Sequence, residues 1–210
     1  MSDKEPDLQS AYALETPEDS KRLYADWAQS YDQSFAAEMD YQMPRIVAQI
    51  YAEAAQGAGP VADLGAGTGL VVEHMPQHDG VDIDALDISE EMLAVASKRG
   101  VYRDLIQCDL TKELPIEGAR YGAVISAGTF THGHVGPDAL DEVLRIARPG
   151  AIFVLGINAA YFVAHGFDAK LASLEAQIER LEIRDVPIYG AGTDPAHKDD
   201  RANVAVFFKR

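Results

Sequence analysis

Three glycines at alternate positions follow an aspartate in VADLGAGTGL, Val61 to Leu70. Glycine at such a turn permits positive φ and lets a ligand approach the backbone. A helix that starts behind the turn presents unpaired N–H groups, which favour an anion. Two ligand classes use this arrangement. A dinucleotide pyrophosphate takes G-x-G-x-x-G. Here the spacing is G-x-G-x-G, with Asp63 two residues before the first glycine. A carboxylate repels a pyrophosphate and attracts an ammonium group, so the turn suits a zwitterion.

Two further acids extend the pattern. Asp87 ends the apolar run VDIDALDI, where a carboxylate can accept both hydrogen bonds of a ribose diol. Asp109, in IQCDL, can accept from an exocyclic amine while the Leu110 backbone offers its N–H to a ring nitrogen. Each acid alone also reads as an N-cap or turn residue. Downstream, SAGTFTHGHVG carries the one close histidine pair, His132 and His134. An imidazole titrates near neutrality and can serve as a base or substrate contact. As metal ligands the pair lacks an evident third partner, and no metal is expected; structural hydrogen bonding is the remaining reading.

These groups must be held by a regular scaffold. The chain has 210 residues, 47% hydrophobic and 25% charged, which is the composition of one globular domain. Apolar runs that alternate with helical patterns predict an α/β fold with a parallel sheet covered on both faces. Strands are expected in PVADLG, VDIDALDI, RDLIQCDL, YGAVISAG and AIFVLGIN. Helices are expected from Pro44, over TGLVVEHM, from Ser89 to Gly100, over PDALDEVLRIARPG, and along Phe167, Leu171, Leu174, Ile178 and Leu181. Two closing strands, IRDVPIY and ANVAVFFKR, have no helix between them and predict an antiparallel hairpin. Residues 1–19 are expected to be a flexible acidic tail, 20–56 an N-terminal helical lid and first helix, and 57–210 the main domain.

With 34 acids against 18 bases, the net charge is −16 and no basic cluster stands out, which disfavours a nucleic-acid partner. No run approaches the ~18 apolar residues of a membrane span. The single Cys108 and the polar start of the chain fit the cytoplasm. The oligomeric state is left open.

D-x-G-x-G-x-G at 63–69, ALDIS at 85–89 and CDL at 108–110 resemble the successive motifs of class I S-adenosylmethionine-dependent methyltransferases. The resemblance covers about residues 60–158. It implies a Rossmann-like seven-stranded sheet of order 3-2-1-4-5-7-6 with one strand antiparallel. It also implies roles. Gly65, Ala66 and Gly67 approach the methionine part, with Asp63 near its amino end and Ser126 and Ala127 facing it. Asp87 holds the ribose, Ile88 and Met92 sandwich the adenine, and Asp109 and Leu110 read its edge. Cys108 departs from the glycine common there and reads as structural. LYADWAQSYDQSF, DYQMP and FTHGHVGPDALDEVLRIARPG resemble a narrower group, the methyltransferase-like proteins of the Williams–Beuren syndrome region and their bacterial relatives. In that group the first helices cover the cofactor. Trp27 and Tyr31, four apart, share a helical face that could meet a sulfonium, a cation–π contact of ~0.5–2 kcal/mol, or simply pack on the core. The implied activity is methyl transfer from S-adenosylmethionine to a small molecule, leaving S-adenosylhomocysteine. Tyr161, Phe162 and His165 are candidates for the acceptor pocket. The alternative is a cofactor-binding module without catalysis of its own.

Overall fold

The computed structural model describes residues 6, 10–11, 13–14, 16–55, 57–75, 80–131 and 134–210. Seven strands form one sheet in the order β3-β2-β1-β4-β5-β7-β6. They are β1 (Val61–Leu64), β2 (Ile83–Asp87), β3 (Asp104–Gln107), β4 (Tyr121–Phe130), β5 (Ala147–Asn158), β6 (Ile178–Pro187) and β7 (Arg201–Lys209). β1 pairs in parallel with β2 and β4, β2 with β3, and β4 with β5. β7 runs antiparallel between β5 and β6. β1 and β2 are buried at every residue, as expected for strands covered on both faces.

Before β1 the chain forms α1 (Pro17–Trp27) and a π-helix (Asp32–Ala37), followed by α2 (Met43–Ala55). Thr16 caps α1, its Oγ1 accepting from the Asp19 amide at 3.1 Å. The helix therefore starts inside the expected tail, because Thr16-Pro17 is itself a good helix start; most of that tail lies outside the described residues. Along α1 and the π-helix, Tyr24, Trp27, Tyr31 and Phe35 fall on one face and pack with α2 and one side of the sheet. The segment after them docks through a Tyr41–Tyr189 bridge and a Gln42 amide donating to the Ile188 carbonyl at 2.9 Å.

The remaining helices are α3 (Leu70–Glu73), α4 (Glu90–Ala96), α5 (Ala139–Ile146), α6 (Ala159–Ala164) and α7 (Phe167–Ser173). α4 begins at Ser89, whose Oγ accepts from Met92 N at 3.2 Å. It closes through a short 3₁₀ turn on Gly100, at φ +66°. α7 stops at Ser173, so Ile178 and Leu181 belong to β6 instead of the helix expected there. Their 4-3-4-3 spacing mimics a helical stripe, but pairing with β7 prevails, with a register shift between Glu179 and Glu182 and Arg180 at φ +56°. α3 is a four-residue helix, shorter than TGLVVEHM suggests.

Candidate active site

A cleft of about 910 Å³, open mouth included, lies at the carboxyl ends of β1, β2 and β4. This is where ligands bind in open α/β sheets, and the size is that of a small-molecule site. The glycine turn after β1 forms one wall, with Gly65, Ala66, Gly67 and Thr68. The glycines have distinct duties. A Cβ on Gly65 would lie 1.8 Å from Thr129 Oγ1, so this glycine admits β4. A Cβ on Gly67 would meet nothing within 4 Å, which leaves bare backbone facing open space at φ +55°. Gly69, at φ +86°, starts α3 beneath the Arg99 side chain. The end of β1 is fixed by two hydroxyls from β4: Ser126 Oγ and Thr129 Oγ1 donate to the Leu64 carbonyl at 2.8 and 2.9 Å.

Asp87 lines the cleft from the end of β2. Its two oxygens accept from Gly67 N at 2.8 Å and Ser89 N at 2.9 Å. Burial raises its pKa against these bonds. Ile88, Met92, Cys108 and Leu110 make an apolar slot beside it. Asp109 lies at the rim, two residues beyond β3; its Oδ1 accepts from Thr111 N and Oγ1, and Oδ2 pairs with Lys112 at 2.9 Å. Burial opposes its ionisation, but these bonds prevail and lower its pKa. The Cys108 thiol is pushed up to about 12, first by burial and then by Asp87 and Asp109, so it stays a neutral wall atom.

The fourth side comes from the N-terminal helices and the loop after β4. Tyr31, Ala127 and His134 line the cleft, together with Ser20, Tyr24 and Tyr41. Tyr24 Oη lies 2.9 Å from His134 Nε2. The Tyr41 hydroxyl donates to the Ala127 carbonyl at 3.2 Å, a close approach that Gly128 allows. The helices are clasped to the glycine turn. Thr68 Oγ1 donates to Asp32 Oδ1 at 2.5 Å, while Arg99 donates to Asp32 Oδ2 at 2.8 Å and to the Thr68 carbonyl at 2.6 Å.

Three residues expected at the ligand do not line this cleft. Ser126 is turned to the Leu64 carbonyl. Trp27 is 2% exposed and donates from Nε1 to Ser34 Oγ at 3.0 Å; it borders a second cavity instead. Asp63 is fully buried behind the turn, where Tyr102 donates to its Oδ2 at 2.7 Å and Oδ1 has no partner among the described residues. Burial, opposed by the Tyr102 bond and assisted by Asp87, raises the Asp63 pKa to about 7. His132 lies outside the described residues. Tyr161 and Phe162 pack with Phe167 in the core on the other face of the sheet, because α6 follows β5 on that side, and His165 stacks on Tyr161 at 3.8 Å. Thr68, Tyr24 and Tyr41 were not foreseen. Tyr24 could have been found, since Tyr24, Trp27, Tyr31 and Phe35 recur at spacings of 3, 4 and 4.

Residues 62–155 match the family model described as a methyltransferase domain. This stretch, from β1 into β5, is a methyltransferase domain. Human methyltransferase-like protein 27 is 28% identical over 179 residues, covering 83% of this chain and 71% of that protein. An S-adenosylmethionine-dependent methyltransferase from Aquifex aeolicus superposes with a TM-score of 0.59 at 17% identity, covering 88% of this chain and 98% of its own. The [4+2]-cyclase SpnF superposes with a TM-score of 0.68 at 16% identity, covering 93% and 97%. At such identities the structures speak for the fold alone.

S-adenosylmethionine is the cofactor of this family, and the cleft suits it: bare backbone at Gly67, a carboxylate at Asp87 and an apolar slot of nucleobase character. Among the described residues, no group of three or more His, Cys, Asp or Glu could hold a metal ion. No described helix is long and apolar enough to cross a membrane.

Proposed function

We propose that this methyltransferase acts on a small molecule, enclosed between the sheet and a lid formed by residues 17–42. The observation that carries this reading is the roof. Ser20, Tyr24, Tyr31 and Tyr41 lie over the cleft, and the Asp32–Thr68–Arg99 clasp ties them to the glycine turn. A methyl acceptor reaching the cleft must fit beneath them. The charge of −16 argues in the same direction, against a polyanionic substrate.

In this reading Asp87 accepts from the ribose hydroxyls through lone pairs left over from its two backbone bonds. Ile88, Met92 and Leu110 hold the adenine, with Asp109 at its edge. Gly65, Ala66, Gly67 and Ala127 border the methionine part, and buried Asp63 acts on its ammonium group through the field behind the turn. The cofactor supplies an electrophilic methyl on a sulfonium with a good leaving group. The chain's task is then to align a nucleophile and exclude water, which enclosure does. His134 is placed to receive a proton.

Methyl-labelled S-adenosylmethionine, incubated with the protein and a metabolite extract divided into small-molecule and macromolecular fractions, tests the reading. Label should enter the small-molecule fraction. Transfer only to RNA, DNA or protein would overturn it.

A further inference from the structure

The first cavity does not end at His134. A second one, about 580 Å³ with its mouth included, adjoins it, and Tyr24, Tyr31, Tyr41, Ala127, Gly128 and His134 line both. We propose that this second cavity takes an uncharged aromatic compound bearing a hydroxyl group, and that the hydroxyl is the atom methylated. The proposal rests on the small-molecule methyltransferase reading and gives it a substrate class.

The wall decides the class. Tyr24, Trp27, Tyr31 and Phe35 project from one helical face, with successive ring centroids 6.2, 5.2 and 5.0 Å apart. Tyr41 and Tyr189 continue the series, at 5.3 Å from Phe35 to Tyr41 and 5.9 Å from Tyr41 to Tyr189. Tyr24 and Trp27 lie nearly parallel and the other rings meet edge-on or tilted, so they make a continuous surface rather than separate sites. A flat ring laid on such a wall gains apolar burial and ring–ring contact together.

Charge then disfavours the ionic classes. Although the chain has 34 acids and 18 bases, no Asp, Glu, Lys or Arg is among the described residues lining the second cavity. An anionic acceptor would lose its hydration and meet no Lys or Arg among the described lining residues. A cationic one would be drawn to the ring faces but meet no carboxylate among the described lining residues, which leaves its buried charge only partly compensated. Polar side chains are few: Thr131, Asn158 and the shared His134 add to the tyrosine hydroxyls.

The position of His134 selects the hydroxyl. It sits where the two cavities meet, with Nε2 2.9 Å from Tyr24 Oη. An acceptor hydroxyl at this junction can donate to the tyrosine oxygen while the tyrosine donates to the imidazole. As the acceptor oxygen bonds the methyl carbon, the sulfur keeps the electron pair of the bond it loses, and the hydroxyl proton passes through Tyr24 to His134. The products are a methyl ether, S-adenosylhomocysteine and a proton released to solvent.

Three probes of one shape separate the classes: 2-naphthol, 2-naphthoate and 2-naphthyltrimethylammonium, titrated by calorimetry into the full chain saturated with S-adenosylhomocysteine. 2-Naphthol should bind at least roughly ten-fold more tightly than either ion. Equal or tighter binding of an ion would overturn the assignment. With ¹³C-methyl methionine, 2-naphthol should shift the Met43 signal and leave Met92 unmoved, since Met43 lines only the second cavity and Met92 only the first. The reverse pattern would overturn the placement. His134→Gln should still bind 2-naphthol but lose its methylation by S-adenosylmethionine; unchanged turnover would remove the proton role. Failure of the wild type to bind S-adenosylhomocysteine would strike the cofactor reading instead, so the two failures are distinguishable.

Discussion

The two cavities share one wall and are built in opposite ways. In the first, the polar contacts come from backbone and carboxylates fixed at strand ends. Asp87 is held by the amides of Gly67 and Ser89, and the end of β1 is pinned by Ser126 and Thr129. In the second, rings carried by a segment outside the sheet close over Phe130, Gly156 and Asn158 of the sheet, and that segment docks through Asp32, Arg99 and the Tyr41–Tyr189 bridge. A site set in a sheet cannot adjust without disturbing its strands. A site roofed by a clasped segment can open at a lower free energy than the sheet does. On the proposed reading, cofactor recognition would depend on the rigid part, and access of the acceptor on the part that is latched.

The largest expected effect sharpens this contrast within the glycine turn itself. Gly65→Ala should destabilise the fold by roughly 3–4 kcal/mol, combining a left-handed backbone with displacement of the buried Thr129 bond. Gly67→Ala should cost the fold about 1 kcal/mol, the left-handed strain alone, yet weaken S-adenosylhomocysteine binding, because its new methyl faces the cleft. Chemical denaturation and calorimetry on both variants check this; equal loss of stability would break the division of duties.

The next effect concerns pH. Asp63 titrates near 7 in the folded protein against 3.8 for the ordinary group, so the folded state holds this proton more tightly. Its contribution to stability is complete below about pH 4 and is lost as pH rises through about 7, with a slope of at most about 1.4 kcal/mol per pH unit. Wild type should accordingly gain on Asp63→Asn as pH falls from 8 to 4. A difference that is flat with pH in denaturation curves would show that Asp63 is ionised throughout.

Asp87→Ala should reduce S-adenosylhomocysteine affinity by about 1.5–3 kcal/mol, since it removes a charged acceptor. Calorimetry showing unchanged affinity would take Asp87 out of the site. The smallest effect belongs to the roof. Arg99→Ala should cost about 1 kcal/mol of lid closure, the range of a partly exposed ion pair, and raise hydrogen exchange across residues 17–42. In wild type, S-adenosylhomocysteine should lower exchange there more than in the β6–β7 hairpin. If neither changes, residues 17–42 are a fixed part of the core and the two cavities do not differ in mobility.

The rigid part was the legible one. The strand pattern, the glycine turn and the helix starting at Ser89 follow from local chemistry: apolar runs, positive φ at the turn and a side chain that caps its own helix. The sheet order followed from the motif resemblance. What local chemistry could not show was direction. Ser126 and Asp63 lie at the strand positions expected, yet their side chains bond the end of β1 and the half-buried Tyr102. Which way a side chain turns depends on partners 39 and 62 residues away. The ring wall was half legible, because Trp27 and Tyr31 were read as a pair and the longer stripe containing them was not. The false helical stripe ending at Leu181 shows the converse, where apolar spacing is satisfied by an edge strand.

Trp27 has one more consequence. It is the only tryptophan in the chain, buried in the ring wall, with its indole N–H on Ser34. The molecule thus carries a single indole fluorophore, excited apart from the tyrosines at long wavelength, at the place where the roof meets the second cavity. Its emission colour should move to the red if the roof lifts and water reaches the indole. Stopped-flow fluorescence on the unlabelled wild-type protein would then give the rate of opening, and comparison with turnover would say whether the chemistry or the release of product sets the pace.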